Sequence, residues 1–174
     1  VCGRRRVGKT FLVREYFEQE IVFQTSGLAG GNTQEQLKNF FYTLRRYDRN
    51  VTSVPHDWLD AFEMLITYLD SLNGIERKVV FLDELPWMDT AGSNFISALE
   101  HFWNGWASAR RDIVLIVCGS ATSWMMDKLI NNHGGLYGRL THRLFLQPFS
   151  LGESEAFLKT KGMMLSKYEL AELY

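Results

Sequence analysis

The sequence predicts an α/β fold in which a parallel sheet is covered by helices on both faces. Three observations carry that reading. Apolar runs such as VVFL (79–82) and IVLIV (113–117) lack the alternation of a half-exposed strand. They are interleaved with segments of helical periodicity, as parallel crossovers require. The chain also opens on GRRRVGKT (3–10), whose spacing is GxxxxGK[ST], a phosphate-binding loop that joins a strand to a helix.

The elements run in this order. TFLVREYFEQE (10–20) reads as the helix after the loop, with Phe11, Leu12, Glu15 and Tyr16 in helical spacing. Only Val1 and Cys2 precede the loop, so the strand leading into it is expected as no more than a stub, as in a fragment cut at both ends. IVFQTSG (21–27) is a short strand closing in glycine. The next helix is expected to open on a capping box of Thr33 and Gln36 and to bury Leu37, Phe40, Phe41 and Leu44. A further helix carries Trp58, Phe62, Leu65 and Leu69 on one face and stops at Asn73-Gly74. KVVFLDELPW (78–87) is an apolar strand ending in acids. SNFISALEHFWNGWASAR (93–110) is a helix capped at Ser93, with Phe95, Leu99, Phe102, Trp103 and Trp106 read as core. DIVLIVCGS (112–120) is a buried strand, ATSWMMDKLINN (121–132) a helix, and RLFLQPF (143–149) the last strand. Capping boxes at Ser150/Glu153 and Ser166/Glu169 each open a helix.

Composition narrows the class. At 174 residues and 46% hydrophobic, the chain can build one good core, and its formal charge of −1 provides no global field for nucleic acid or anionic lipid. Any basic surface must be local. Cys2 and Cys118 lack metal-ligand spacing and indicate a reducing, cytoplasmic setting. The four histidines are scattered, and no apolar run is long enough to span a bilayer.

The residue types of the loop explain its chemistry. Glycines let backbone N–H groups approach an anion, Lys9 reaches the terminal phosphates, and the Thr10 hydroxyl binds the magnesium that accompanies them. Gly3, Arg4, Arg5, Arg6, Val7, Gly8, Lys9, Thr10 and Phe11 are therefore the candidate nucleotide-binding residues. Asp83 and Glu84 arrive at a strand's carboxyl end, where open α/β sheets place ligands. There Asp83 can hold magnesium alongside Thr10, while Glu84 polarises a water for attack on the γ-phosphate. Standing alone, the two acids would read as a solvated strand end. Ser120, after the strand at 112–118, either senses the γ-phosphate or only turns the chain and caps the next helix. Arg139, in a glycine-flanked loop, is either a transition-state cation or a solvated side chain, with Arg143 the weaker candidate. DTAG (89–92) matches a GTPase signature, but no guanine-reading NKxD occurs, so it reads as a turn.

CGRRRVGKT, FLDELPW, VCGSATSWM and LYGRLTHRLFLQPFSLGE, in this order, closely resemble the archaeal-type ATPase family of AAA-like P-loop proteins. The resemblance covers nearly the whole chain. It implies a P-loop NTPase three-layer sandwich of strand order 5-1-4-3-2, with 1–149 as the ATPase core and 150–174 as the start of a C-terminal helical region. It further implies ATP rather than GTP, Mg2+, a catalytic second acid at Glu84, and sensor-like positions for Ser120 and Arg139. Beyond the core, family members carry a winged-helix region, often with a nuclease-like domain, through which nucleic acid would be a partner. The expected activity is magnesium-dependent ATP hydrolysis coupled to movement of appended domains. A non-hydrolysing ATP-dependent switch or scaffold is the rival, and a phosphotransferase the third option, although no lid is legible.

Overall fold

The apolar run around Phe81 forms the middle of the sheet in the computed structural model, which describes residues 1–131, 135, 136 and 138–173. This strand, β2 (Lys78–Asp83), is buried at every position and pairs in parallel with β1 (Ile21–Ser26) and β3 (Ile113–Val117), giving the order β1-β2-β3. Burial on both faces is why its side chains do not alternate. Among the described residues the sheet continues past β3 only as single bridges: Cys2 pairs in parallel with Gly119 on one side and Phe145 on the other. The stub expected at Val1 and Cys2 is present. The strand expected over 143–149 is reduced to that one bridge, because Cys2 is the single residue it has to pair with; Leu144, Phe145 and Phe149 remain exposed.

Helices cover both faces. On one, α2 (Thr33–Tyr47), α3 (Trp58–Ser71) and α4 (Phe95–Gly105) bury Leu37, Phe40, Leu44, Trp58, Phe62, Leu65, Leu69, Phe95 and Phe102 against Phe23, Val80 and Leu82. On the other, α1 (Lys9–Tyr16) presses Val13 onto Phe81 and Cys118. The residues whose helical spacing marked α1 are not the ones it buries. Phe11 and Tyr16 are exposed, since the helix meets the sheet through Val13. The capping box of α2 also lies one residue earlier than expected: Asn32 accepts from the Glu35 N–H at 3.1 Å and Glu35 accepts from the Asn32 N–H at 2.8 Å. Gln36 is instead buried, and its amide ties down the turn before the helix by bonding the N–H and carbonyl of Leu28. At α4 the Ser93 hydroxyl accepts from the Phe95 N–H at 3.4 Å, while Asn94 enters the helix in a left-handed conformation.

After β3 come α5 (Thr122–Met125), continued by a π-turn over Met126–Ile130, then α6 (Leu151–Thr160) and α7 (Lys167–Leu173). Both serine–glutamate boxes form, Ser150 with Glu153 and Ser166 with Glu169. Among the described residues no helix is long and apolar enough to cross a membrane.

One ion cluster fastens the foot of the sheet. Lys78, 5% exposed, donates to Asp112 at 2.9 Å, and Arg110 grips the same carboxylate through Nε and Nη2 at 2.9 and 2.7 Å. Arg110 also reaches Asp70 and stacks over Trp106 at 4.7 Å. The Arg110 hydrogen bonds, helped by Lys78, hold the Asp112 carboxyl far below the usual carboxylate range. A depressed folded-state pKa stabilises above the unfolded value of about 4 and loses that stabilisation as pH falls further. Asp112→Asn should thus cost about 2 kcal/mol at pH 7 by leaving the buried Lys78 ammonium without its counter-charge. Urea melts of both proteins should show that gap narrowing between pH 5 and pH 3; a gap independent of pH would contradict the assignment.

Candidate functional site

The loop over 3–10 leaves the Cys2 bridge and turns into α1 through left-handed backbone at Arg6 (φ 65) and Gly8 (φ 88). Gly3 is fixed by a close approach: a Cβ there would lie 2.3 Å from the Leu146 carbonyl oxygen. Among the described residues, no N–H from Arg4 to Lys9 has an acceptor within the chain. Successive free N–H groups at a helix start form a concavity suited to phosphate.

Lys9 is buried, and its ammonium donates to the carbonyls of Gly3 at 2.9 Å and Arg4 at 2.7 Å. An ammonium has three protons, so one is left for an anion in the loop. Thr10 Oγ1 donates to Asp83 Oδ2 at 2.7 Å, joining the loop to the carboxyl end of β2 across 73 positions. The other Asp83 oxygen accepts the Glu84 N–H at 2.9 Å. Glu84 itself takes a left-handed conformation, φ 46, that ends the strand and starts a 3-10 turn over Leu85–Trp87.

That conformation places Glu84 beside β3. Leu85 N–H donates to the Cys118 carbonyl and Cys118 N–H to the Leu82 carbonyl, both at 2.9 Å, which locks the two strand ends side by side. Ser120 Oγ then donates to Glu84 Oε2 at 3.0 Å. Ser120 therefore faces the acid and does not cap α5, whose start has no side-chain cap. Burial pushes the intervening Cys118 thiol up to about 12, so this cysteine is packing and not a nucleophile.

Thr10, Asp83, Glu84 and Ser120 are thus brought together by hydrogen bonds, with Lys9 next to Thr10 in the chain and bonded to the loop carbonyls. Arg4, Arg5 and Arg6 are exposed on the loop, and Val7 is half-buried. Phe11 points outward from α1 at 56% exposure. Arg139 lies elsewhere. It is exposed and, with Arg143, lines an apolar cavity of about 450 Å³ together with Cys2, Val13, Phe17 and Ile116. Tyr137, which belongs to the motif around Arg139, is outside the described residues.

Two further residues shape the site without having been singled out in the sequence. Trp87 receives the Arg5 guanidinium at 5.9 Å from its ring centroid, linking the loop to the turn after Glu84. Gly27, at the end of β1, sits where a Cβ would be 2.6 Å from the Glu84 carbonyl oxygen. The signal for Trp87 was LPW directly after the acidic pair; for Gly27 there was only a glycine closing a strand.

The donor set at Thr10 and Asp83 consists of a hydroxyl and a carboxylate, the hard oxygen ligands that suit magnesium. The loop amides without internal acceptors and the spare Lys9 proton suit a polyphosphate. The residues present fit both groups.

The chain matches the AAA domain family over residues 1–155. It is 25% identical over 157 residues to the uncharacterized protein MJECL04 of Methanocaldococcus jannaschii, covering 90% of this chain and 32% of that protein. The Walker-type ATPase PABY2304 of Pyrococcus abyssi superimposes with a TM-score of 0.69 at 18% sequence identity, over 99% of this chain and 56% of its own. At that identity the likeness speaks for the fold. The chain spans about a third of the first relative and just over half of the second. A family match over most of the length, on a chain whose phosphate loop meets the acids of a neighbouring strand, has one conclusion: the chain belongs to the AAA-domain family of P-loop NTPases.

Proposed function

We propose that this domain binds ATP with magnesium and hydrolyses its β–γ bond. The observation that carries the reading is the 2.7 Å contact between Thr10 and Asp83, which puts the loop hydroxyl and a strand-end carboxylate at one point, with Glu84 next in the chain. Bound there, magnesium would screen phosphate charge and favour its build-up on the leaving oxygen. The chain's own residues supply the rest. The amides of Arg4 to Lys9 cradle the phosphates, Lys9 adds a point charge, and Thr10 and Asp83 hold the metal. Glu84 accepts a proton from water, and Ser120 holds the Glu84 carboxylate in place through its hydroxyl.

The finer architecture belongs to the same reading. Cys2 lying between Gly119 and Phe145 supports the five-strand order 5-1-4-3-2, with the loop strand inside the sheet, second from one edge. α6, which buries none of its residues, supports a core ending near residue 149 and a C-terminal region beginning at 150. Hydrolysis would be coupled to movement of that C-terminal region and of domains appended to it. Arg139 would act on the transition state only from another arrangement of its loop, in cis or from a second subunit.

A fluorescent ATP analogue titrated into the full-length protein tests the binding half. Lys9→Ala should weaken binding about tenfold or more, by removing a charge-assisted contact of roughly 1.5–3 kcal/mol. Asp83→Asn should abolish most of the gain in affinity that magnesium gives the parent. ATP should displace the analogue better than GTP does. Unchanged affinity in Lys9→Ala would sink the proposal.

A further inference from the structure

We propose that the solvent face of α2 binds single-stranded nucleic acid, gripping its phosphates with arginines and stacking a base on a tyrosine. Helical geometry places Lys38, Tyr42, Arg45 and Arg46 on one stripe, opposite the buried Leu37, Phe40 and Leu44, and Arg49 continues it past the helix end. The stripe runs about 12 Å from Lys38 to Arg46 at 1.5 Å per residue. Tyr42, Arg45, Arg46 and Arg49 line a single cleft in the surface.

Arg45 lies over the Phe41 ring, 6.0 Å from its centroid, but no carboxylate neutralises the cleft. Among the described residues neither Lys38 nor any of the cleft's three arginines, Arg45, Arg46 and Arg49, forms an ion pair. The carboxylates at either end of the helix are engaged elsewhere: Glu35 accepts from the Asn32 N–H, and Asp48 accepts from the Asn50 N–H at 2.9 Å. Attraction of cations to a helix C-terminus accounts for Arg45 and Arg46 alone. It does not account for Lys38, more than two turns earlier, or for Arg49, beyond the end. On a chain of formal charge −1, three cations on one helix and a fourth just past its end, none in an ion pair, are a local concentration.

Tyr42 decides between polyanions. It is 56% exposed in the middle of the stripe, a flat ring held against Phe41 with centroids 5.3 Å apart. A ring among arginines is the arrangement that holds an unpaired base between phosphate contacts. A membrane surface is disfavoured, because an interfacial helix needs an apolar face to insert and the apolar face of α2 is already in the core.

Fluorescence anisotropy of a fluorescein-labelled oligothymidylate with the full-length protein tests the inference without involving the phosphate loop. Three to four phosphate contacts predict that log K falls with log salt with a slope of about −2 to −3. The double variant Arg45→Glu, Arg46→Glu should flatten that slope and weaken binding at least about tenfold, while Arg45→Lys, Arg46→Lys keeps most of it. Tyr42→Ala should weaken binding about tenfold with the slope unchanged, and Tyr42→Phe should restore it. Arg45→Lys, Arg46→Lys and Tyr42→Phe should melt with the parent, while Arg45→Glu, Arg46→Glu should melt slightly lower through loss of the helix-end attraction, too little to unfold the protein at the assay temperature. The proposal is overturned if the charge-reversed protein binds the oligonucleotide as the parent does. It is equally overturned if the parent ignores the oligonucleotide at low salt but binds phosphatidylserine-containing vesicles through the same residues.

Discussion

Glu84→Gln is expected to leave ATP binding intact while lowering phosphate release by roughly two to four orders of magnitude, the range set by loss of a general base. Glutamine keeps the size of the side chain and an oxygen that can still accept from the Ser120 hydroxyl, which is 3.0 Å away in the parent. What it removes is the carboxylate's basicity. The left-handed backbone at residue 84 is retained as well, because neither side chain is branched at Cβ and the turn is held by Leu85 N–H on the Cys118 carbonyl. The measurement is a phosphate-release assay run beside a binding titration on the full-length protein. Turnover at the parent rate would make Glu84 a structural residue, and the domain would then be an ATP-dependent switch or scaffold.

Phe62→Ala should lower stability by about 3–5 kcal/mol, the cost of a large cavity at a site that cannot collapse around it. Phe62 lies at the centre of a group of rings. It stacks on Phe102 at 5.1 Å and meets Phe95 at 6.1 Å, Trp58 at 6.1 Å and Phe40 at 6.2 Å. These neighbours come from α2, α3 and α4, so the lost side chain had been holding three helices on one face of the sheet. Guanidinium melts monitored by tryptophan fluorescence should show the midpoint falling sharply. Nucleotide affinity of the folded fraction should be unaffected, because Phe62 packs among rings of α2, α3 and α4 and none of these helices carries a residue of the phosphate loop or of the acidic pair. A loss under about 1 kcal/mol would mean that the core relaxes freely, contrary to close packing.

The phosphate loop and the acidic pair were readable because each is a local pattern whose spacing encodes its own geometry. The run VVFL without alternation announced burial on both faces at β2, whereas the equally apolar IVLIV of β3, expected buried, buries only Ile113 and leaves Val114–Val117 half-buried; Trp58, Phe62, Leu65 and Leu69 lie where their spacing put them. Other features depended on partners that a linear reading does not show. In NTQEQ both Asn32/Glu35 and Thr33/Gln36 satisfy a capping pattern; the carboxylate took the helix end, where the dipole favours it, and the Gln36 amide was drawn into the preceding turn. Phe11 and Tyr16 had helical spacing, yet the sheet surface under α1 accommodates only Val13. Ser120 as a partner of Glu84 depends on the crossing of two strand ends and a positive φ, neither of which has a sequence signature beyond Gly119-Ser120.

The contact between Thr10 and Asp83 spans 73 positions, that between Ser120 and Glu84 spans 36, and Cys2 meets Leu144 across 142. Closing such long segments costs chain entropy before any contact repays it, so these parts of the molecule are expected to form late in folding. The phosphate site therefore has no local precursor: a chain with α2, α3 and α4 already packed would still bind no nucleotide. Ligand would then select the finished fold and hold it by mass action, by about 2.7 kcal/mol at a hundred times the dissociation constant. In refolding experiments, recovery of nucleotide affinity should lag behind recovery of tryptophan fluorescence, with the interval measuring how slowly the ends of the sheet find each other.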